Sequence, residues 1–91
     1  MAQATKTTIV SAAESLAALL KTVPAGERRE KALYHLERLQ LSVQASHQEA
    51  VRFAAFTVNK TVKDAANEWG APVVSAMETL RAELAAHGHE F

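Results

Sequence analysis

The sequence predicts an all-α fold: three helices, at about 7–23, 27–69 and 72–86, packed as a homo-oligomeric helical bundle. Three observations carry this expectation. Residues 27–69 contain neither proline nor glycine. Apolar side chains recur along them at helical spacing. Two short turns, Val23-Pro24-Ala25-Gly26 and Gly70-Ala71-Pro72, separate this stretch from shorter amphipathic segments on either side.

The first segment, about 7–23, places Ile9, Ala12, Ala13, Leu16, Leu19, Leu20 and Val23 on one face. Ser11 and Glu14 have the spacing of a capping box, though well inside the segment. The turn that follows predicts an antiparallel helical hairpin at 23–27. Pro24 lacks an amide donor, and Gly26 is expected to relieve the reversal. Glu27 and Glu30 then fall at the positive end of the next helix, where carboxylates are favourable.

In the central stretch, Leu33, Leu36, Leu39, Val43, Ala50, Val51, Ala54, Val58, Val62, Ala65 and Trp69 share one arc at about 100° per residue. His47 falls in this arc beside Gln40, which reads as a buried polar position fixing register. A second stripe runs through 34, 38, 41, 45, 48, 52, 56, 59 and 63 in alternating steps of three and four. A helix with two such faces needs two partners. Length points the same way. At about 1.5 Å per residue the stretch spans roughly 65 Å, whereas a compact monomer of this size is about 32 Å across. The β-branched tract 57–62 is the one candidate break, and its propensity penalty of a few tenths of a kcal/mol per residue, roughly, is too small to decide the matter. A second chain covering the overhang is therefore expected.

The third segment, about 72–86, opens on Pro72 and aligns Val73, Val74, Met77, Leu80 and Leu84. Gly70 is placed to adopt the left-handed conformation that closes the preceding helix. Phe91 continues the apolar stripe. The whole chain reads as one domain, with 1–6 and 87–91 expected to be flexible.

Composition bounds the function. Ninety-one residues, 48% of them hydrophobic and 22% charged, describe one small globular domain. Burial in so short a chain roughly balances its conformational entropy, and association is the usual remedy where metals and disulfides are lacking. Cysteine is absent, which removes disulfides and zinc–thiolate sites and fits a reducing compartment. No signal-peptide pattern opens the chain and no apolar run approaches the ~20 residues of a membrane span. A cytoplasmic protein is the expectation. Net charge is zero but uneven: residues 21–63 carry eight Lys/Arg against four Glu, and residues 64–91 one Arg against five acids. This asymmetry reads first as internal pairing, and nucleic acid is not an expected partner.

No catalytic chemistry emerges. The sequence lacks a Gly-rich phosphate loop, GxSxG, HExxH and any evident carboxylate pair. Ser42 and Ser46 lie within a turn of His47, but one helix cannot also supply an orienting third group and an oxyanion hole. His35 and His47 point to different faces, and His87 and His89 sit in a terminal segment, so no metal site and no cofactor are expected. The feature that calls for a function is the second stripe. Tyr34, Arg38, Leu41, Arg52, Phe56 and Lys63 alternate aromatic, aliphatic and cationic side chains. That mixture suits a subunit or protein interface. It equally suits a flat anionic ligand, with arginine on phosphate and an aromatic ring stacking, and the plain alternative is a solvated face with scattered apolar residues.

Residues 12–37 add a resemblance. An amphipathic helix, then Pro24, Glu27-Arg28, Ala32-Leu33 and Leu36-Glu37 resembles the helical hairpin of phage anti-defence sponge proteins, which sequester cyclic nucleotide signals of bacterial immunity. The resemblance implies a small homo-oligomer binding a nucleotide in pockets between subunits. Residues 39–50 lack the Trp-Ala-Asn pattern of that family, and no binding residue carries over. Two functions are thus expected in order: a non-catalytic homo-oligomeric module that binds itself or another protein, and a sponge holding an anionic nucleotide near Arg38, Arg52 or Lys63.

Overall fold

The computed structural model describes residues 2–89, with side chains from Thr8 onward. Met1 and Phe91, the latter expected to extend the apolar stripe, lie outside the described residues. Five helices follow one another: α1 (Ala2–Leu20), α2 (Glu27–Ala45), α3 (Gln48–Asp64), α4 (Ala66–Trp69) and α5 (Ala71–Ala86). There is no sheet among the described residues. α1 packs on α2 and α5, α3 packs on α2 and α5, and α4 bridges α3 to α5. The Arg28–Glu68 ion pair at 3.6 Å joins the start of α2 to the end of the α3–α4 arm. Thr8 Oγ1 and His87 Nε2, 3.4 Å apart, join the start of α1 to the end of α5. Successive long helices therefore alternate in direction, giving an up-down-up-down four-helix bundle with the single turn α4 at one end.

The long helix expected over 27–69 does not exist as one rod, which corrects the three-helix reading. It breaks at Ser46-His47, not in the tract 57–62. Ser46 adopts a left-handed conformation, φ 61°. Its amide donates to the Val43 carbonyl at 3.2 Å, and the His47 amide donates to the Ser42 carbonyl at 3.0 Å. These two bonds form a Schellman closure, satisfying the last carbonyls of α2 and turning the chain back. The Val51 amide then donates to the His47 carbonyl at 3.0 Å, so α3 starts after a connection of two residues. Through 57–62 the helix continues, held by burial of Val58, Thr61 and Val62, with the Thr57 and Thr61 hydroxyls donating to the carbonyls of Phe53 and Thr57 at 2.9 and 2.8 Å within the helix itself. A smaller break at Ala65 sets off α4.

Folding back removes the overhang: the described chain measures 37 × 20 × 19 Å, with a radius of gyration of 12.1 Å. The apolar arc survives, because each helix keeps its own phase. Leu36, Leu39, Val43, Val51, Ala54, Val58, Val62, Ala65 and Trp69 are buried, together with Ala32 and Ala55. They meet Ile9, Ala13, Leu16 and Leu20 from α1, and Val73, Met77, Leu80 and Leu84 from α5. Leu33 is half-buried against this core, and Ala50 is exposed. His47 is exposed as well, at the start of α3, and does not fix register in the core.

The ends of the other elements shift modestly. α1 begins at Ala2, which leaves Ser11 and Glu14 mid-helix, and it ends at Leu20, with Val23 buried in the loop beyond. Gly26 has φ 166°, an extended conformation open to any residue, and a Cβ there would meet nothing within 4 Å. Glycine is not required at that turn. Gly70 is different: at φ 89° and ψ 171° it occupies a region essentially restricted to glycine, and Pro72 follows in the first turn of α5. No helix among the described residues is long and apolar enough to cross a membrane.

Candidate functional site

The core is almost wholly aliphatic. Among the described residues, Trp69 is the only buried aromatic, while Tyr34, Phe53 and Phe56 are exposed. Large apolar side chains on a surface are informative when they gather in one place. Here Tyr34, Leu41, Phe53 and Phe56, exposed by 50–60%, all lie on α2 and α3. The outer faces of α1 and α5 carry no large exposed apolar side chain among the described residues.

The fold-back at Ser46 assembles part of this set. Antiparallel pairing brings His35 of α2 beside Phe53 of α3, their rings edge-on with centroids 6.2 Å apart. Tyr34 meets the same imidazole, also edge-on, at 5.1 Å. Such geometries let positive ring edges meet negative ring faces. Burial, and then the Lys31 ammonium, hold the His35 pKa below the ordinary 6.5. Tyr34, His35, Arg38, Ser42, Ala50 and Phe53 line an open cleft of about 230 Å³ between the two helices. A larger hollow of about 570 Å³ lies over Ser46, His47, Gln48, Glu49 and Ala50. Its lining is five consecutive residues, so it is the outline of the connection rather than a cleft between elements.

Of the six residues expected from the sequence to carry function, all are exposed. Only Tyr34 and Arg38 line the cleft. Arg52 lies toward the other side of α3, near enough to His89 to help burial lower that imidazole's pKa. Leu41, Phe56 and Lys63 are exposed outside the cleft. Asn59, part of the same stripe, is buried, so the stripe is not a continuous surface. Phe53 and His35 were not in the expected set. In a straight helix Phe53 falls between the two stripes, and only the hairpin brings it to His35. A second phenylalanine three residues before Phe56 was the available signal, since i and i+3 share a helix face.

Electrostatically α2 and α3 carry a small excess of cations, seven Lys/Arg against five acids. Lys31, Arg38, Arg52 and Lys63 form no ion pair among the described residues, whereas Arg28 pairs with Glu68 and Lys60 with Asp64. Internal pairing, the expected use of the charge asymmetry, engages these last two cations. No group of three His, Asp or Glu side chains capable of holding a metal occurs among the described residues. No family model, curated protein or solved structure matches the chain.

Proposed function

We propose that the protein is a non-catalytic, homo-oligomeric interaction module that works through the outer face of the α2–α3 hairpin. The observation that carries this reading is the segregation of the exposed aromatic side chains, among the described residues, to those two helices. Four exposed large apolar residues on two helices that also carry arginine and lysine without an ion pair among the described residues have the composition of a protein interface. Self-association has its own support in Ser46. The apolar arc keeps phase across this residue, and a left-handed non-glycine residue is strained by about 1–2 kcal/mol. Straightening Ser46-His47 into helix relieves that strain and lets two chains exchange arms, a low-cost route to dimers. Light scattering from low to high micromolar concentration tests the oligomer: mass should rise with concentration, and a monomer throughout would remove this part of the reading.

Nucleotide capture is a second reading, favoured by one observation: Arg38 stands beside Tyr34 and Phe53 in the cleft. The cleft is smaller than the roughly 300–1,000 Å³ of typical ligand sites. It also gathers only one of the three cations expected to serve the ligand, so a nucleotide would need a second subunit to enclose it. Thermal shift against a panel of cyclic nucleotides tests this reading. A ligand at 100 times its dissociation constant adds about 2.7 kcal/mol, and a flat panel at millimolar ligand contradicts it.

A further inference from the structure

We infer that protons gate the self-association of this protein: arm exchange at Ser46-His47 joins two copies at the hinge end of the bundle, and three histidines gathered there oppose the junction in acid. The inference rests on the arm exchange of the interaction-module reading above. The up-down-up-down order places the start of α1, the end of α2, the start of α3 and the end of α5 at one end of the bundle. Three of the four histidines are there. His47 is exposed at the start of α3. His87 follows the end of α5, with Nε2 3.4 Å from Thr8 Oγ1 and 3.8 Å from Glu83 Oε2. Gly88, at φ 87°, then turns the chain back, and the His89 amide donates to the Leu84 carbonyl at 2.8 Å. The half-buried His89 imidazole is thereby returned to the bundle, where burial, and then the charges of Arg52 and His87, oppose its protonation.

Straightening the hinge stacks two bundles hinge end to hinge end, with α1 and α2 of each copy closing on α3 and α5 of the other. The α5 end of one bundle then faces the α1 start of its neighbour. His47 changes most. In a continuous helix it lies about 40° from both Val43 and Val51, on the arc that packs against the other arm. Loss of water there opposes a charged imidazole far more than a neutral one. His35 does not discriminate, because exchange rebuilds the same α2–α3 pairing around it. The described fixed charges at this end cancel. Over the two turns nearest to it, α1 from Thr8 onward and α2 carry no charged side chain, α3 carries Glu49 and Arg52, and α5 carries Arg81 and Glu83. Lys6, in the first two turns of α1, stays cationic throughout the range in which histidine titrates. Protonating His47, His87 and His89 therefore adds three positive charges to each end and six to the junction. The dimer binds fewer protons than two separate chains, so its dissociation constant rises as pH falls through the imidazole range.

The experiment refolds the full chain from urea over a range of micromolar concentrations, so that exchange equilibrates, and reads the dimer fraction by gel filtration with light scattering. It is run at about pH 7.5, 6.5 and 5.5, spanning the imidazole range. A chelator is present so that no metal bridges the histidines. The dissociation constant should rise about tenfold or more from the highest pH to the lowest, as one excluded proton per pH unit requires. About half-molar salt should shrink that rise by screening the junction. The triple variant His47→Gln, His87→Gln and His89→Gln should dimerise with no such rise. Circular dichroism at each pH establishes that both proteins are folded, and if the triple variant is not, each single substitution should reduce the rise in its place. A dissociation constant that ignores pH or falls in acid overturns the inference, and so does a rise that survives the triple substitution. Ser46→Gly, which holds the hinge closed, should dimerise less at every pH. If the dimer ignores both pH and Ser46→Gly, the chains associate without exchange: the proton gate falls and the interaction module stands. If the protein stays monomeric at every pH and concentration, the gate and the self-association of that reading fall together.

Discussion

Ser46 holds a left-handed conformation that costs an L-residue about 1–2 kcal/mol, and the turn of the whole hairpin depends on it. Glycine adopts that conformation without the Cβ penalty, at the cost of a more flexible unfolded chain. Ser46→Gly should raise stability by about 0.5–1 kcal/mol in urea unfolding, and a loss of stability would contradict the assignment. Gly70 gives the converse case, since Gly70→Ala should destabilise by about 1–3 kcal/mol in the same measurement. His35 supplies a pH dependence. Its pKa is lowered by burial and then by Lys31, so the unfolded chain binds more protons in the window just below pH 6.5. Its contribution is fully present above the unfolded value of 6.5 and is lost as pH falls through the folded one. An NMR titration of the His35 ring should give a midpoint below 6.5, and one at or above it would mean the ring is not held against Tyr34 and Phe53.

At the scale of the element, the hairpin decides which side chains are structural and which are available. Phe56 lies outside the core at 56% exposure, so Phe56→Ala should change monomer stability by no more than about 0.5 kcal/mol. Leu80→Ala, at a fully buried site, should cost about 2–5 kcal/mol. Urea unfolding at two protein concentrations separates these effects from association, because a Phe56 effect that grows with concentration would place this side chain in a subunit contact. The apolar arc of 33–69 was legible from spacing because burial follows helical phase within each helix, whether or not the helices are joined. The break was not legible from glycine or proline, since Ser46 turns the chain through backbone bonds to Ser42 and Val43. A weaker signal was present. Ser46 and His47 are polar where the core rhythm after Val43 calls for an apolar residue, and Ser46 with Glu49 has capping-box spacing. Half of the site was legible for the same reason: Tyr34 and Arg38 lie in the cleft, but His35 and Phe53 meet only after the chain reverses.

At the scale of the molecule, an aliphatic core closed by four helices leaves the large exposed apolar residues among the described ones to α2 and α3, and that segregation is the basis of the functional reading. The sequence's length argument for a second chain disappears once the rod folds back, so association rests on the Ser46 hinge and the exposed face instead. Replacing Ser46 by alanine, which favours right-handed helix, should raise the dimer fraction, and Ser46→Gly should lower it. Every feature of the site depends on α2 and α3 pairing within one chain, and one distance tests that directly. The sequence has no cysteine, so Arg28→Cys with Glu68→Cys gives two unique spin-label sites whose native side chains lie 3.6 Å apart. Electron–electron distance measurement on the monomeric gel-filtration fraction should give only short separations. A population near 60 Å, the span of a continuous helix between these positions at about 1.5 Å per residue, would contradict the hairpin and the face it builds.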